Sequence, residues 1–207
     1  RVITHRVARL LELGHAPESI VAVTFTNKAA GEMRERLKRM VGVQAAAALV
    51  LGTFHSIGAR MLRTDPEAFG VPKRFTILDQ GDVSGVVRTA LRESGVHAAG
   101  NDRRFDLTAV CQRISLWKNE FLSYEQARER AKNGNEYDVA AALAFEAYED
   151  RLRSLGAVDF DDLVCHVADR LGQDDELRTR WSDRIRYLLV DEYQDTNQAQ
   201  FEFLRRL

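Results

Sequence analysis

The 207-residue sequence predicts an α/β domain with a parallel sheet, into which a mostly helical subdomain is inserted. Helical apolar patterns follow the first two predicted strands, and strands that alternate with helices are typical of a parallel sheet. Between residues 69 and 155 the pattern changes to a run of helices, which predicts the insertion. The strands themselves are predicted from three short apolar segments: Ile20–Thr24, Ala48–Gly52 and Tyr187–Val190.

The sheet elements are predicted by apolar runs and by helical stripes. A helix whose stripe ends at Gly14 precedes the first strand. That strand, Ile20–Thr24, is uniformly apolar, which suits the centre of a parallel sheet with both faces covered. The helix after it carries five apolar residues on one face: Ala29, Ala30, Met33, Leu37 and Met40.

The insertion is punctuated by cap and stop signals. Phe75–Leu78 predicts a short extended segment at its entry. One helix is stopped at Gly95, Ser123 and Gln126 form a capping box for another, and the last ends at Gly156. These signals predict a small subdomain of separate helices.

Composition indicates a folded protein and leaves the ligand open. Apolar residues make up 45 % of the chain and the net charge is −1, so we expect a sizeable core, and charge alone does not indicate a nucleic-acid binder. Cys111 and Cys165 lie far apart without metal-binding spacing, which favours a reduced, cytoplasmic setting. No apolar run is long enough to span a membrane, and we expect no membrane partner.

The strongest functional signal is the segment 188–197, an apolar strand that ends in Asp191 and Glu192. Adjacent carboxylates at a strand end suit a nucleotide-bound magnesium ion and an activated water molecule. Asp191 is the candidate magnesium ligand, and Glu192 is the candidate group that polarises the water. The alternative is that either carboxylate only caps the helix predicted near Thr196. The full string from Asp191 to Gln200 favours the catalytic interpretation, although the phosphate loop that usually accompanies it does not occur in this sequence.

Two further loops, 24–30 and 52–56, share one layout of hydroxyl, aromatic and polar residues before a helix. A strand end that meets a helix N-terminus is a natural phosphate-contact site. Phe25 could stack on a base. The alternative is ordinary strand-to-helix capping, with Phe25 in the core and His55 as a capping or packing residue. Two such loops at one edge of a parallel sheet predict a continuous groove.

Two other polar strings favour structural roles. The carboxylates in Asp159–Leu163 invite a metal-site interpretation, but a helix N-cap with Asp161 and Asp162 complementing the helix dipole is favoured. Trp117–Glu120 could touch a nucleic-acid backbone, but a tryptophan packed at a helix end is favoured.

These strings resemble, in this order, the motifs of superfamily 1A DNA helicases of the UvrD, PcrA and Rep type. Residues 22–36 look like motif Ia, residues 52–56 like motif Ib, and residues 191–197 like motif II, the Walker B equivalent. Residues 159–163 match the short motif where the chain returns from the inserted subdomain. The resemblance covers essentially the whole chain and rests on four ordered motifs.

The resemblance implies an incomplete RecA-like (P-loop NTPase) fold. It assigns residues 1–68 to motor subdomain 1A, residues 69–155 to the inserted helical subdomain 1B, and residues 156–207 to the return into 1A with the Walker B motif. It also implies ATP-driven translocation on single-stranded DNA, generally 3′ to 5′, with unwinding of duplex. ATP and Mg²⁺ are the implied cofactors. Single-stranded DNA and its junctions with duplex are the implied partners, together with candidate repair or replication proteins.

The resemblance also assigns residues by position. Asp191 and Glu192 serve magnesium binding and hydrolysis, Arg36 matches an arginine that reaches the nucleotide, and Arg1 matches the residue that follows Gly-Lys-Thr. Five residues are placed along the DNA track: Phe25, Asn27, Thr53, Phe54 and His55.

Three family features are expected outside the chain: the phosphate loop with its glutamine motif upstream, motif III downstream, and a second motor domain with arginine fingers. We therefore expect a fragment of an ATP-dependent DNA helicase, inactive by itself. Two alternatives stay open. One is the motor half of a RecB- or AddA-type helicase–nuclease, and the other is a non-catalytic module that binds single-stranded DNA.

Overall fold

The computed structural model describes residues 2–95 and 105–207. The chain divides into two compact units. The sheet unit comprises Arg1–Phe69 and Val167–Leu207, and the helical unit comprises Gly70–His166. The α/β fold class predicted from the sequence is confirmed, whereas the subdomain boundaries at 68/69 and 155/156 stay a prediction.

The elements of the described chain are, in order, α1 Val2–Glu12, β1 Ile20–Thr24, α2 Asn27–Val41, α3 Val43–Ala48, β2 Val50–Thr53, α4 Phe54–Thr64, β3 Thr76–Ile77, α5 Gln80–Glu93, α6 Leu107–Asn119, α7 Tyr124–Ala131, α8 Glu136–Leu155, β4 Ala157–Val158, α9 Asp162–Gln173, α10 Asp175–Arg184, β5 Tyr187–Val190 and α11 Gln198–Arg205. Short 3-10 helices lie at Pro17–Ser19 and Tyr193–Asp195. Within this part of the chain, no helix combines the length and apolarity needed to cross a bilayer.

The sheet unit contains a three-stranded parallel sheet in the order β2-β1-β5. Val23 of the central strand lies opposite Gly52 on one side and Val190 on the other. All five residues of β1 are buried, as the uniformly apolar run predicts for a central strand. The two edge strands differ in burial, because all four residues of β5 are only half-buried.

Two of the three strands have the predicted bounds, and the second does not. The prediction placed it at Ala48–Gly52, but the strand is Val50–Thr53. The alanines before it belong to helix α3, because alanine has the highest intrinsic helix propensity. Strand β2 therefore ends one residue later than predicted, and Thr53 is both its last residue and the N-cap of α4.

Helices α1 and α2 cover the sheet with apolar side chains. The core between them includes Val7, Leu10, Ile20, Met33 and Leu37, each at most 7 % exposed. Met40, which belongs to the predicted apolar stripe of α2, is instead 38 % exposed, and the buried part of that stripe ends at Leu37.

The helical unit is built around α8. Its buried face carries four alanines, whose small side chains let α5, α6 and α7 approach closely; they are Ala140, Ala141, Ala142 and Ala144. The predicted capping box of Ser123 and Gln126 is present at the start of α7. Helix α8 ends at Gly156, which has the left-handed φ of +58° that favours glycine. Strands β3 and β4 form a separate parallel pair.

Candidate functional site

Three loops leave the carboxyl ends of β1, β2 and β5, which we call the carboxyl edge of the sheet. Thr24 lies opposite Thr53 in the β1–β2 register. On the other side the Asp191 N–H donates a 2.9 Å hydrogen bond to the Val23 carbonyl, so the pairing continues to the first acidic residue. Because the strands are parallel, all three predicted loops meet at one edge, where ligands of open α/β sheets bind.

The acidic turn, residues 191–195, directly follows β5. Asp191 is half-buried and Glu192 is exposed. Glu192 adopts a left-handed conformation with φ 50° and ψ 45°, which is uncommon for a residue other than glycine. The Gln194 side-chain amide donates a 2.6 Å hydrogen bond to Glu192 Oε2. Backbone conformations of this kind are concentrated at active sites and ligand clamps.

The interpretation of Asp191 and Glu192 as mere helix caps is wrong. Helix α11 is capped by Asn197, whose Oδ1 accepts a 2.8 Å hydrogen bond from the Gln200 N–H. Gln200 returns the bond, because its side-chain oxygen accepts from the Asn197 N–H at 3.2 Å. The two carboxylates therefore have no part in starting this helix.

The acidic turn fits a magnesium ion bound to phosphate. Mg²⁺ prefers oxygen ligands and usually takes only one or two carboxylates, with water and substrate phosphates filling its other positions. Asp191 supplies one such carboxylate, and no ion pair in the described chain engages it or Glu192. The described residues contain no group of three or more His, Cys, Asp or Glu that would form an all-protein metal cage. Asp191 therefore suits a phosphate-bound Mg²⁺, whose other positions are filled by water and phosphate.

The loop after β1 contains one residue that caps a helix and, next to it, exposed polar residues that could contact a ligand. Thr26 caps α2, because its Oγ1 accepts a 3.1 Å hydrogen bond from the Ala29 N–H. Asn27 and Lys28 are exposed, and Phe25 is half-buried. The capping alternative therefore holds for Thr26, whereas Phe25 is only half-buried and does not belong to the fully buried core.

The loop after β2 is more buried. Thr53 caps α4 by accepting a 3.2 Å hydrogen bond from the Ser56 N–H, and Phe54 is only 1 % exposed. A ring this buried has no free face for a base, so the predicted DNA contact at Phe54 does not fit its side chain in this conformation. His55 is half-buried. A Cβ at Gly52 would lie 2.1 Å from Ser56 Oγ, so a larger residue here would force the Ser56 side chain to move.

The two residues predicted to contact the nucleotide, Arg1 and Arg36, do not belong to these loops. Arg36 is half-buried on α2, and Arg1 lies outside the described residues. Arg34, which the sequence-based prediction did not assign, donates a 2.9 Å hydrogen bond to the Leu51 carbonyl and so ties α2 to β2. The roles of Arg1 and Arg36 stay predictions.

A second polar cluster lies in the helical unit and is built around Lys118. The Lys118 ammonium is 2.7 Å from Asp159, 2.7 Å from Asp162 and 3.0 Å from Glu149. The Tyr148 hydroxyl donates a 2.6 Å hydrogen bond to Asp159. The sequence-based prediction placed Lys118 near a nucleic-acid backbone as one option, but Lys118 is 7 % exposed and its ammonium belongs to this buried cluster.

The hydrogen bonds of Asp159–Leu163 support the favoured capping interpretation of this segment, whereas the roles of Asp161 and Asp162 toward the helix dipole stay a prediction. Asp159 and Asp162 bond reciprocally: the Asp162 N–H donates to Asp159 at 2.8 Å, and the Asp159 N–H donates to Asp162 at 3.0 Å. Asp159 therefore caps the turn that leads into α9. Asp161 instead accepts a 2.7 Å hydrogen bond from Asn119. The neighbouring Trp117 is 2 % exposed, as expected for a packing tryptophan.

The charges of the Lys118 cluster perturb each other's pKa. Burial raises the pKa of the Asp162 carboxyl to about 7; Lys118 opposes this shift, and repulsion by Asp159 and Glu149 adds to it. Against the cost of burial, Asp162, Asp159 and Glu149 hold the pKa of Lys118 well above its usual value. Burial also acts to raise the pKa of Asp159, but Lys118 and Tyr148 outweigh it and hold that pKa below its usual value.

The sheet unit is thus a parallel α/β domain. Its carboxyl edge carries a pair of carboxylates and two polar loops, each of which caps the helix that follows it. The family model described as UvrD/REP helicase N-terminal domain matches residues 1–207. The chain therefore belongs to the UvrD/REP helicase N-terminal domain family, and the resemblance drawn from its motifs is confirmed.

Similar proteins match over the full length of the chain. It is 37 % identical over 208 residues to the ATP-dependent DNA helicase Rep of Salmonella typhimurium and 36 % identical to that of Escherichia coli. It is also 36 % identical to the ATP-dependent DNA helicase PcrA of Staphylococcus epidermidis. Each match covers 100 % of this chain but only 30 %, 30 % and 28 % of the relative, respectively.

We predict that Lys118→Met destabilises the chain by about 3–5 kcal/mol, because it leaves Asp159 and Asp162 buried without their cation. Lys132→Met is the matched control, since the Lys132 side chain is 67 % exposed and its loss is expected to cost about 0.5 kcal/mol or less. Urea unfolding of both variants measures the free energies. Equal, small effects would show that the buried cluster contributes nothing.

We also predict that the stability of the helical unit depends on pH through Asp162. Its folded-state pKa lies above its unfolded value, so the folded state keeps a proton that the unfolded chain releases. This contribution to the free energy of unfolding is therefore full below about pH 4 and falls as pH rises through about 7. Asp162→Asn cannot lose that proton, so its stability relative to the unaltered chain should rise across this window.

The control for this pH dependence is Asp175→Asn, because the Asp175 side chain is 84 % exposed. Its stability curve should run parallel to that of the unaltered chain when urea unfolding is repeated from pH 5 to pH 8. Parallel curves for Asp162→Asn as well would contradict the assignment of the raised pKa to Asp162.

Proposed function

We propose that the chain is part of an ATP-dependent DNA helicase that translocates 3′ to 5′ on single-stranded DNA. One observation carries this proposal: the acidic turn and the two polar loops that cap α2 and α4 meet at one edge of the sheet, in a member of the UvrD/REP family. The named relatives are ATP-dependent DNA helicases, and the chain spans about 30 % of their length. The activity is therefore assigned to the intact protein.

In this proposal the acidic turn handles the phosphate end of ATP. Asp191 holds Mg²⁺, which neutralises charge on the phosphates when it is bound. Glu192 orients the attacking water and accepts its proton. Gln194 donates to Glu192 Oε2 at 2.6 Å, which leaves Oε1 for the water. The hydrogen bond thus holds the carboxylate in one orientation before the substrate arrives.

Nucleotide affinity depends on groups beyond the described residues. Arg36 on α2 is the proposed phosphate contact within the described chain, and Arg1 would follow the phosphate loop. The sequence contains no Gly-Lys-Ser/Thr segment, and the amides of such a loop supply much of the binding of phosphates. The isolated chain is therefore proposed to bind ATP weakly and to be inactive.

The two polar loops provide the DNA track. The N-termini of α2 and α4 direct backbone N–H groups to the carboxyl edge, where they suit phosphate oxygens. Asn27 and Lys28 are exposed beside them and add an amide and a cation. The half-buried Phe25 offers part of a ring for stacking, and His55 lies at the start of α4. Contacts of this kind read no base sequence.

The proposed setting is the cytoplasm. Cys111 and Cys165 are free thiols, which suits a reducing compartment. Single-stranded DNA and its junctions with duplex are the proposed partners, with repair or replication proteins as further candidates.

We predict that Glu192→Gln in the intact protein lowers the rate of ATP hydrolysis by about 10²–10⁴-fold, because the amide cannot accept the proton of the water. ATP binding should persist, since Asp191 is unchanged. The control is Glu18→Gln, at an exposed glutamate that precedes the amino end of β1. Hydrolysis and nucleotide affinity are measured on each variant, and undiminished turnover in Glu192→Gln would refute the role given to Glu192.

We predict that Phe25→Ala weakens the affinity of the intact protein for single-stranded DNA by about 1–3 kcal/mol, the usual loss for one stacked base. Fluorescence anisotropy with a labelled oligothymidylate measures the affinity, at several salt concentrations because phosphate contacts are screened by salt. If the affinity is unchanged while the protein unfolds at lower denaturant concentration, Phe25 is a core residue only.

A further inference from the structure

Three phenylalanines of the sheet unit pack one against the next, in the order Phe25, Phe54 and Phe203, and we call this series the line. Each comes from a chain segment that follows a different strand. Phe25 follows β1, Phe54 follows β2, and Phe203 lies on α11, beyond the acidic turn that follows β5. The ring centroids of Phe25 and Phe54 are 5.6 Å apart with planes at 59°. Those of Phe54 and Phe203 are 6.2 Å apart with planes at 79°. Both pairs have the tilted geometry and spacing in which aromatic rings attract each other.

Burial changes along this line. Phe203 is 0 % exposed and Phe54 is 1 % exposed, whereas Phe25 is half-buried. The line therefore starts in the interior and ends at Phe25, a half-buried residue that follows β1 at the carboxyl edge. Because protein interiors are close-packed, the position of a buried ring constrains the ring that packs against it.

The inner end of the line is held by the segment that follows the acidic turn. Asn197 and Gln200 fix the start of α11 through their reciprocal hydrogen bonds. Ala199 and Phe203, four residues apart on this helix, are both 0 % exposed, so this face of α11 is anchored in the core. The outer end lies in a loop, because Phe25 stands between the last residue of β1 and the cap Thr26.

We propose that Phe54 and Phe203 are positioning residues of the DNA site: they hold the Phe25 ring in the orientation that stacks on a base, and neither touches DNA. This inference rests on the proposed function and assigns to Phe54 a role that differs from the direct DNA contact predicted from its motif. It also gives Phe203 a role, although no motif in the sequence marks that residue.

The test is a double-mutant cycle in the intact protein that contains this chain. The variants are Phe25→Ala, Phe203→Leu and the double substitution, and the measurement is anisotropy with a labelled oligothymidylate. Phe203→Leu removes the ring but keeps an apolar side chain. We expect it to weaken affinity by about two- to tenfold, the range that corresponds to one aromatic pair. In the Phe25→Ala background the same change should have no further effect, because the ring that it positions is gone.

The matched control is Phe69→Leu. Phe69 is also 0 % exposed and also packs against an aromatic ring, that of Trp181 at 6.2 Å, but it stands outside the line. Phe69→Leu should lower the denaturant midpoint of unfolding while leaving DNA affinity unchanged. Phe54→Leu should behave as Phe203→Leu does. If Phe203→Leu does not fold, Phe203→Met replaces it, because methionine is flexible enough to fill the space.

The inference is overturned if Phe203→Leu leaves affinity unchanged, or if its effect adds fully to that of Phe25→Ala. It is also overturned if Phe69→Leu weakens DNA binding as much, because general destabilisation would then explain the result. The proposed function fails differently: the unaltered intact protein would not bind the oligothymidylate at low salt.

Discussion

The parallel pairing of β1 with both β2 and β5 is the constraint on which the rest of the site depends. It places three strand ends at one edge, although the loops that follow them are separated by up to about 160 residues of sequence. The hydrogen bond from the Asp191 N–H to the Val23 carbonyl carries the pairing one residue beyond β5, to the first carboxylate. All of β1 is buried, so the apolar core holds the strand that sets this register.

Helix capping then decides which polar residues are left for a ligand. The first N–H groups of a helix need acceptors, and Thr26, Thr53 and Asn197 supply them for α2, α4 and α11. Residues next to these caps therefore remain available to bind a ligand. Asn27 is exposed beside Thr26, and the carboxylates of the acidic turn have no part in capping α11. In the helical unit a capping carboxylate is buried instead: Asp159 accepts a hydrogen bond from the Asp162 N–H and also forms an ion pair with the buried Lys118.

Features that depend on neighbouring residues could be predicted from the sequence. The bounds of β1 and β5, the capping box at Ser123 and the end of α8 at Gly156 all follow from local patterns. Features decided by tertiary contacts could not. Strand β4 has two residues, which is too short for a period to show. From sequence alone Lys118 resembles a surface cation, because the three carboxylates that surround it come from α8 and the start of α9. Phe54 resembles Phe25 in its local sequence, and only the folded chain shows that Phe203 packs against Phe54.

The central claim is that one edge of the sheet holds both the phosphates of ATP and single-stranded DNA. The most direct measurement is a structure of the intact protein with Mg²⁺, a non-hydrolysable ATP analogue and an oligothymidylate. The account predicts Asp191 beside the magnesium ion, Glu192 facing the γ-phosphate, and a base stacked on Phe25. A nucleotide or DNA strand bound at the amino edge of the sheet, near Pro17–Ser19, with the acidic turn unoccupied, would contradict it.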